Sequence, residues 1–194
     1  MKIVVDGPIG AGKSTQVDNL SKLTGLTVIK EPVHEWPLEL FYKDPSRWGL
    51  MMQVAVLNSY IKIRDYDGIL ERCPGSTRAV FWKNLVDTNV VTVEEDKVFS
   101  ALYETHSWEP ELTIFIDKKP ETCFKHIQKR SQDGDTGITL EYLQSLHALY
   151  HKYVSEHKNI HVVNGEQSIK NVTRDIVKII NPYIHKECPF DAQE

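Results

Sequence analysis

The run Gly7-Pro8-Ile9-Gly10-Ala11-Gly12-Lys13-Ser14 ends a glycine-rich segment on a lysine and a hydroxyl, a combination able to hold a polyphosphate. Glycines let successive backbone N–H groups turn inward on phosphate oxygens, and a helix beginning near Lys13 adds its positive end. Lys13 would neutralise charge at the β- and γ-phosphates, while Ser14 would offer an oxygen to Mg2+. The implied chemistry is the binding of a nucleoside triphosphate. The motif alone leaves GTPase, ATPase and small-molecule kinase open.

Two further groups narrow the choice. Glu31 opens the segment Glu31-Pro32-Val33-His34-Glu35-Trp36, and Glu71-Arg72 closes an apolar run. Phosphoryl transfer asks for charge stabilisation and for a carboxylate that takes the acceptor's hydroxyl proton. Glu31 could do this or be a solvated loop acid. Glu71 and Arg72 could serve Mg2+ and a triphosphate or form a surface salt bridge.

These groups meet only if the chain builds a particular frame. Short apolar runs at residues 3–6, 26–30, 68–71, 112–117 and 160–163 alternate with helical stretches at 13–23, 37–42, 45–64, 76–89, 93–108, 120–131, 140–157 and 169–180. That order predicts βαβ units, an α/β fold with a five-stranded parallel sheet flanked by helices, and ligands at the carboxyl ends of the strands. The phosphate loop, Glu31 and Glu71-Arg72 all fall at such ends. At 194 residues, with 41% hydrophobic and 26% charged content, the chain reads as one soluble domain spanning 1–194. The polar stretch 129–139, with two glycines, reads as a mobile lid.

The motifs in order resemble the deoxyribonucleoside kinase family, nearest its thymidine kinase and multisubstrate insect branch. They are the loop from Gly7 to Thr15, Glu-Pro-Val-x-x-Trp at 31–36, Tyr-Lys-Asp-Pro-x-x-Trp at 42–48, Glu-Arg-x-x-x-Ser-x-Arg-x-x-Phe at 71–81, and Leu-Glu-Tyr-Leu-x-x-Leu-His at 140–147. With the first strand they run from residue 3 to about 157. The resemblance implies the P-loop kinase fold and ATP as phosphoryl donor with Mg2+, with Lys13 and the Gly7 to Thr15 loop, Lys129 and Arg130 on the donor. It implies Glu31 as base on the nucleoside 5′-hydroxyl, Glu71 with Ser14 on Mg2+, and Arg72 bridging the base and the 5′-oxygen. Tyr42 would hold the 3′-hydroxyl, Gln53 would read the pyrimidine edge, Phe81 would stack on the base and Trp36 would wall the pocket. A homodimer through the 45–64 helix and its neighbour is also implied, although an apolar face there could equally be internal core.

Helical spacing agrees with this grouping: Gln53, Val56 and Tyr60 share one face at i, i+3 and i+7, and Thr77 and Phe81 stand at i and i+4. Each of these apolar and aromatic residues could equally be core. Purine-preferring relatives resemble one another in carrying Arg and Asp at the positions of Tyr60 and Thr77, so the uncharged pair implies a pyrimidine acceptor, thymidine or deoxycytidine. Departures from the family pattern are Cys73 in place of Ser, Gln132 in place of an arginine, and Gly134-Asp135 in place of two glutamates. Asp135, shorter than Glu, is a questionable partner for the sugar's 3′-hydroxyl.

The remaining features mostly exclude. A net charge of −4 gives no general attraction to polymeric nucleic acid, no apolar run reaches membrane-spanning length, and three scattered cysteines fit reduced thiols. With a buried-strand pattern starting at Met1, this predicts a cytoplasmic salvage enzyme supplying DNA precursors. The eight histidines read as ordinary residues without metal-ligand spacing. A thymidylate kinase is the enzyme alternative, disfavoured because Glu31 would repel an acceptor phosphate. A GTP-dependent switch is the other, disfavoured because the chain lacks Asn-Lys-x-Asp.

Overall fold

The computed structural model describes residues 1–130 and 135–184, so Gln132, Gly134 and Cys188 lie outside the described residues. Five strands, β1 (Lys2–Asp6), β2 (Val28–Ile29), β3 (Gly68–Glu71), β4 (Leu112–Asp117) and β5 (Ile160–Asn164), form one parallel sheet in the order β2-β3-β1-β4-β5. β1 therefore lies at the centre and its loop emerges between two neighbours. β2 is shorter than the 26–30 run predicts. As an edge strand it has only β3 for a partner, and after Ile29 the chain leaves the ladder toward the cavity described below.

Strand residues alternate between two cores, the period-2 consequence of the pleat. Ile3, Val5 and Ile69 pack with Val17 and Leu20 of α1 (Lys13–Thr24) and with Val172 and Ile176 of α9 (Ile169–Ile184). Val4 and Leu70 face the opposite way, onto Cys73, and Phe115 packs on Tyr150 and Tyr153 of α8 (Leu140–Glu156). Farther out on that side, α2 (Leu38–Lys43), α3 (Pro45–Lys62) and α6 (Val93–His106) bury Phe41, Val56, Tyr60, Trp82 and Phe99 together. No helix among the described residues is long and apolar enough to cross a membrane.

Helix ends follow local chemistry. Asp44 accepts from Arg47 N at 3.2 Å with Pro45 at the first turn of α3, and Thr139 accepts from Tyr142 N at 3.1 Å to start α8. The helix expected over 76–89 begins earlier and is not uniform. A short turn, α4 (Pro74–Ser76), leads into a π-helical segment, Thr77–Trp82, and then α5 (Lys83–Asp87). The wider π turn lets Val80 and Trp82 be fully buried in two different clusters while Thr77 and Phe81 reach the cavity. Trp82 Nε1 is fixed by Asp96 Oδ1 of α6 at 2.6 Å; α7 (Pro120–Arg130) completes the helices.

The start of α6 carries a complete capping box: Thr92 Oγ1 accepts from Glu95 N at 3.2 Å and Glu95 Oε2 accepts from Thr92 N at 2.7 Å. Thr92→Ala should cost about 1 kcal/mol of stability. Urea unfolding should register that loss while steady-state activity of the folded variant stays at the wild-type level, since the cap does not line the cavity.

Candidate active site

The carboxyl ends of β1, β2 and β3 converge on one cavity of about 680 Å3. Its floor is the glycine-rich loop. Gly12 takes φ 95° as it enters α1, a left-handed conformation natural to glycine, and this turns the helix's free N–H groups toward the cavity. Ile9, Gly10, Ala11, Gly12, Lys13, Ser14 and Thr15 all line it, whereas Gly7 and Pro8 lie behind. Pro8 O accepts from Lys13 Nζ at 3.0 Å, so the buried ammonium is drawn across the loop. Burial, and then the Arg72 charge, lower the Lys13 pKa below the ordinary lysine value.

Ser14 Oγ donates to Glu71 Oε1 at 2.9 Å. A hydroxyl and a carboxylate side by side, both on the cavity wall, are the hard oxygen donors that suit Mg2+.

Arg72 is the hub. Its side chain is 4% exposed and its Nε donates to Glu31 Oε1 at 3.0 Å. Its Nη1 reaches Gly7 O at 3.2 Å, Asp6 Oδ1 at 3.5 Å and the Tyr150 hydroxyl, which in turn donates to Asp6 Oδ1 at 3.1 Å. Burial works against the guanidinium's charge, but Glu31, Tyr150 and Asp6 together hold its pKa well above the ordinary arginine value. Glu31 moves the other way. Its burial raises the carboxyl above the usual range, and Arg72 and Lys13 recover only part of that shift.

Asp6 and Tyr150 were not singled out from sequence. Asp6 is 1% exposed and its Oδ2 has no hydrogen-bond partner among the described residues. The available signal was an acid closing an apolar strand immediately before Gly7, where a buried charge requires a partner. Tyr150 gave no such signal, because a tyrosine on a helix reads as core.

A second lobe of the cavity takes Trp36, Gln53, Val56, Thr77 and Phe81. Gln53 is 4% exposed and its Oε1 has no partner among the described residues, while the Phe81 ring centre lies 4.8 Å from the Arg72 guanidinium carbon. Tyr60 does not line this cavity. It sits one layer back, on a smaller cavity of about 170 Å3, and accepts from Thr77 Oγ1 at 3.3 Å. The expectation that Tyr60 touches the base is corrected accordingly: its bulk acts through Thr77, because the hydrogen bond draws the phenol behind that residue.

From the 129–139 segment the cavity takes Arg130, Asp135 and Ile138, whereas exposed Lys129 does not line it. Arg130 Nε and Nη2 donate to the two Asp135 oxygens at 2.8 Å each, so Asp135 is held as an ion pair beside Tyr42. Burial, then Asp135, keep the Tyr42 phenol protonated far above its ordinary range. Lys118, His126 and Tyr142 also face the cavity, with His126 Nδ1 3.0 Å from Gly10 O. Cys73, the departure after Glu71-Arg72, is fully buried in extended backbone; burial pushes its thiol up to about 12. The reading of the histidines is also corrected, since His147 and His151 stand one turn apart on α8 and meet Asp117.

Comparison with known proteins agrees with this geometry. The family model for deoxynucleoside kinases matches residues 3–187, well past the motif that ends at His147, and the chain belongs to that family. It is 30% identical to the putative kinase protein 029R of Invertebrate iridescent virus 3, covering 92% of this chain and 95% of that protein. It is 31% identical to human mitochondrial thymidine kinase 2 over 78% of this chain and 63% of the relative. Among solved structures, a deoxyadenosine kinase from M. mycoides with dCMP and dCDP superposes with a TM-score of 0.82 at 26% identity, covering 94% of this chain and all of that one. The chain is a deoxynucleoside kinase.

Gly137 approaches Tyr42 so closely that an added Cβ would lie 2.4 Å from Tyr42 Cβ and 2.6 Å from Cγ. Gly137→Ala should therefore displace the Tyr42 ring and raise the nucleoside KM by about tenfold or more, in line with the cost of small misplacements in a site. The KM for ATP should stay within about twofold, because Tyr42 is remote from the glycine-rich loop in sequence and element. Initial-rate kinetics varying each substrate in turn would check both values.

Proposed function

We propose that this kinase transfers the γ-phosphoryl group of ATP to the 5′-hydroxyl of a pyrimidine deoxynucleoside, with Glu31 as proton acceptor. The observation that carries this reading is the Glu31–Arg72 pair, buried in the same cavity as Lys13 and facing the Ser14–Glu71 pair. As the bond from the 5′-oxygen to phosphorus forms and the bond to the bridging oxygen of ADP breaks, the hydroxyl proton passes to the Glu31 carboxylate. Arg72 holds that carboxylate in place and lends positive charge beside the 5′-oxygen. Lys13 and the loop N–H groups stabilise charge on the phosphates. Ser14 and Glu71 would hold Mg2+, which would supply positive charge against the phosphates.

Glu31's raised pKa has a kinetic sign. The base must be ionised, so activity is lost as pH falls through a pKa above the ordinary carboxylate value of about 4.3. We expect the acid limb of kcat/KM to lie above that value. Glu31→Gln should remove about a hundredfold or more of kcat while leaving the nucleoside dissociation constant within a few-fold. Lys13→Ala should cost at least about a hundredfold by deleting charge stabilisation. A Glu31→Gln enzyme turning over at the wild-type rate would move the base to another group, with Glu71 the first to test.

The base preference rests on the lobe around Gln53. Its unpartnered, buried Oε1 needs a donor, and its amide as a whole can offer one donor and one acceptor to the edge of a pyrimidine. Thr77 and Tyr60 are both uncharged and hydrogen-bonded to each other, which favours a pyrimidine over a purine at that wall. The relatives include a deoxyadenosine kinase and a deoxyguanosine kinase of Dictyostelium discoideum as well as thymidine kinases, so membership leaves the base open. Buried Val56 and the Thr77 methyl give a thymine 5-methyl group an apolar contact, which favours thymidine over deoxycytidine. Competition among the four natural deoxynucleosides at fixed Mg2+·ATP should give pyrimidines at least about a tenfold advantage in kcat/KM. A purine ranking first would overturn the pocket reading and leave the kinase assignment standing.

Two wider readings go with this one. The α3–α6 face carries exposed Met51 and Val98, which supports a homodimer formed there. The buried free thiols of Cys73 and Cys123 suit a reducing cytoplasm, where the enzyme would salvage DNA precursors.

A further inference from the structure

A cluster outside the cavity brings together Asp117, at the end of β4, and two histidines of α8. His147 and His151 stand at i and i+4, the spacing that points two imidazoles from one helix face toward a common ion. The two Nε2 atoms are 3.2 Å apart, and they lie 3.5 Å (His147) and 3.3 Å (His151) from the same oxygen, Asp117 Oδ1. We propose that these three side chains form a binding site for a divalent transition metal, Zn2+ in the first place.

The triangle itself is the argument. Zn2+ bound tetrahedrally at about 2.0–2.1 Å from nitrogen and oxygen separates its ligand atoms by about 3.3–3.4 Å, the bond length multiplied by about 1.63. The three edges fall around that value. Hydrogen bonding alone accounts for them less well, since both edges to Asp117 exceed the usual range of about 2.7–3.2 Å. Three converging atoms can also share at most the protons that two imidazole Nε2 positions supply. Two nitrogens and one carboxylate favour Zn2+ and its neighbours over Mg2+ or Ca2+, which prefer all-oxygen sets.

Access is available, because the side chains of Asp117, His147 and His151 are 36%, 25% and 52% exposed. Glu121 supplies a second negative charge near His147. Three protein ligands leave a fourth position for water or another donor. A bound ion would pin α8 to the end of β4, next to Tyr150, which holds Arg72, and next to Lys118 on the cavity wall.

The test uses the full chain without a polyhistidine tag, stripped with a chelator and kept in excess Mg2+ so that the Ser14–Glu71 donors do not compete. Zn2+ titrated against a chromophoric chelator should load one equivalent per chain and raise the Tm. His151→Ala and the near-isosteric Asp117→Asn should each weaken binding by at least the roughly 10–100-fold that loss of even an outer partner costs, and should abolish the Tm rise. Co2+ should give the intense visible bands of a four-coordinate site in the wild type and lose them in His147→Ala. Circular dichroism of the metal-free variants guards against misfolding, and the Asp117→Asn variant serves if a histidine variant fails to fold. No uptake by the wild type, or one equivalent that survives both His151→Ala and Asp117→Asn, would overturn the proposal. Neither result touches the kinase reading, which does not use these residues.

Discussion

A guanidinium buried to 4% exposure is expensive unless its charge and its N–H groups are met, and in this fold Arg72 is met by groups from three separate elements. Gly7 O and Asp6 come from the end of β1, Glu31 from the end of β2 and Tyr150 from α8. Taking away one partner would leave a charge stranded in the interior, at a cost of about 3–5 kcal/mol. Arg72 itself adopts φ 70°, an unusual backbone for a non-glycine residue. Such a conformation persists only when its surroundings over-determine it, and the four contacts do so. The twist after β3 is what lets Glu71 face Ser14 while the next side chain turns to Glu31 and Asp6.

The electrostatics of the cavity follow from that arrangement. Lys13 and Arg72 share it with Glu31, Glu71 and Asp6, so the acids outnumber the two buried bases. Lys30, Lys118 and Arg130 add positive charge along the wall. A polyphosphate entering there meets the loop's N–H groups and these cations together, while the carboxylates stay paired to Arg72 and Ser14. Burial raises Glu31 and lowers Lys13, and the raised carboxyl makes Glu31 a stronger proton acceptor than an exposed glutamate.

Much of this frame could be read from residue types. A strand followed by Gly7 to Ser14 and a helix dictates a loop at a sheet's carboxyl edge, and the apolar runs before Glu31 and Glu71 place those acids at the same edge. The five strands lie at or near the expected residues, and β2 is shorter because an edge strand with a single partner ends where its chain turns inward. What stayed hidden depended on long-range partners. Asp6 and Tyr150 are 144 positions apart and acquire meaning only through Arg72. The π-helical segment escaped because periodicity over six residues cannot separate a five-residue hydrogen-bonded turn from a four-residue one. Tyr60 sat on the right helix face but one layer too deep, since a period places a side chain on a face without fixing its depth. The 147/151 spacing was visible on its own, yet Asp117 joins it only through the packing of α8 on β4.

The division of labour between elements explains how relatives named for different nucleosides share one architecture. Groups that handle phosphate sit on strand ends and on the loop into α1, locked by the Arg72 contacts and by the sheet register. The groups proposed to face the base sit on α3 and on the π segment, where they line the same cavity. A change at Thr77 or Tyr60 can therefore alter the shape and polarity of the base lobe without moving Glu31, Lys13 or Ser14. Phe81 and Gln53 are the exceptions. Phe81 packs on the Arg72 guanidinium, so its removal would loosen the catalytic hub along with the base. Gln53 carries a buried acceptor with no partner among the described residues, an open valence that a ligand in the lobe would fill.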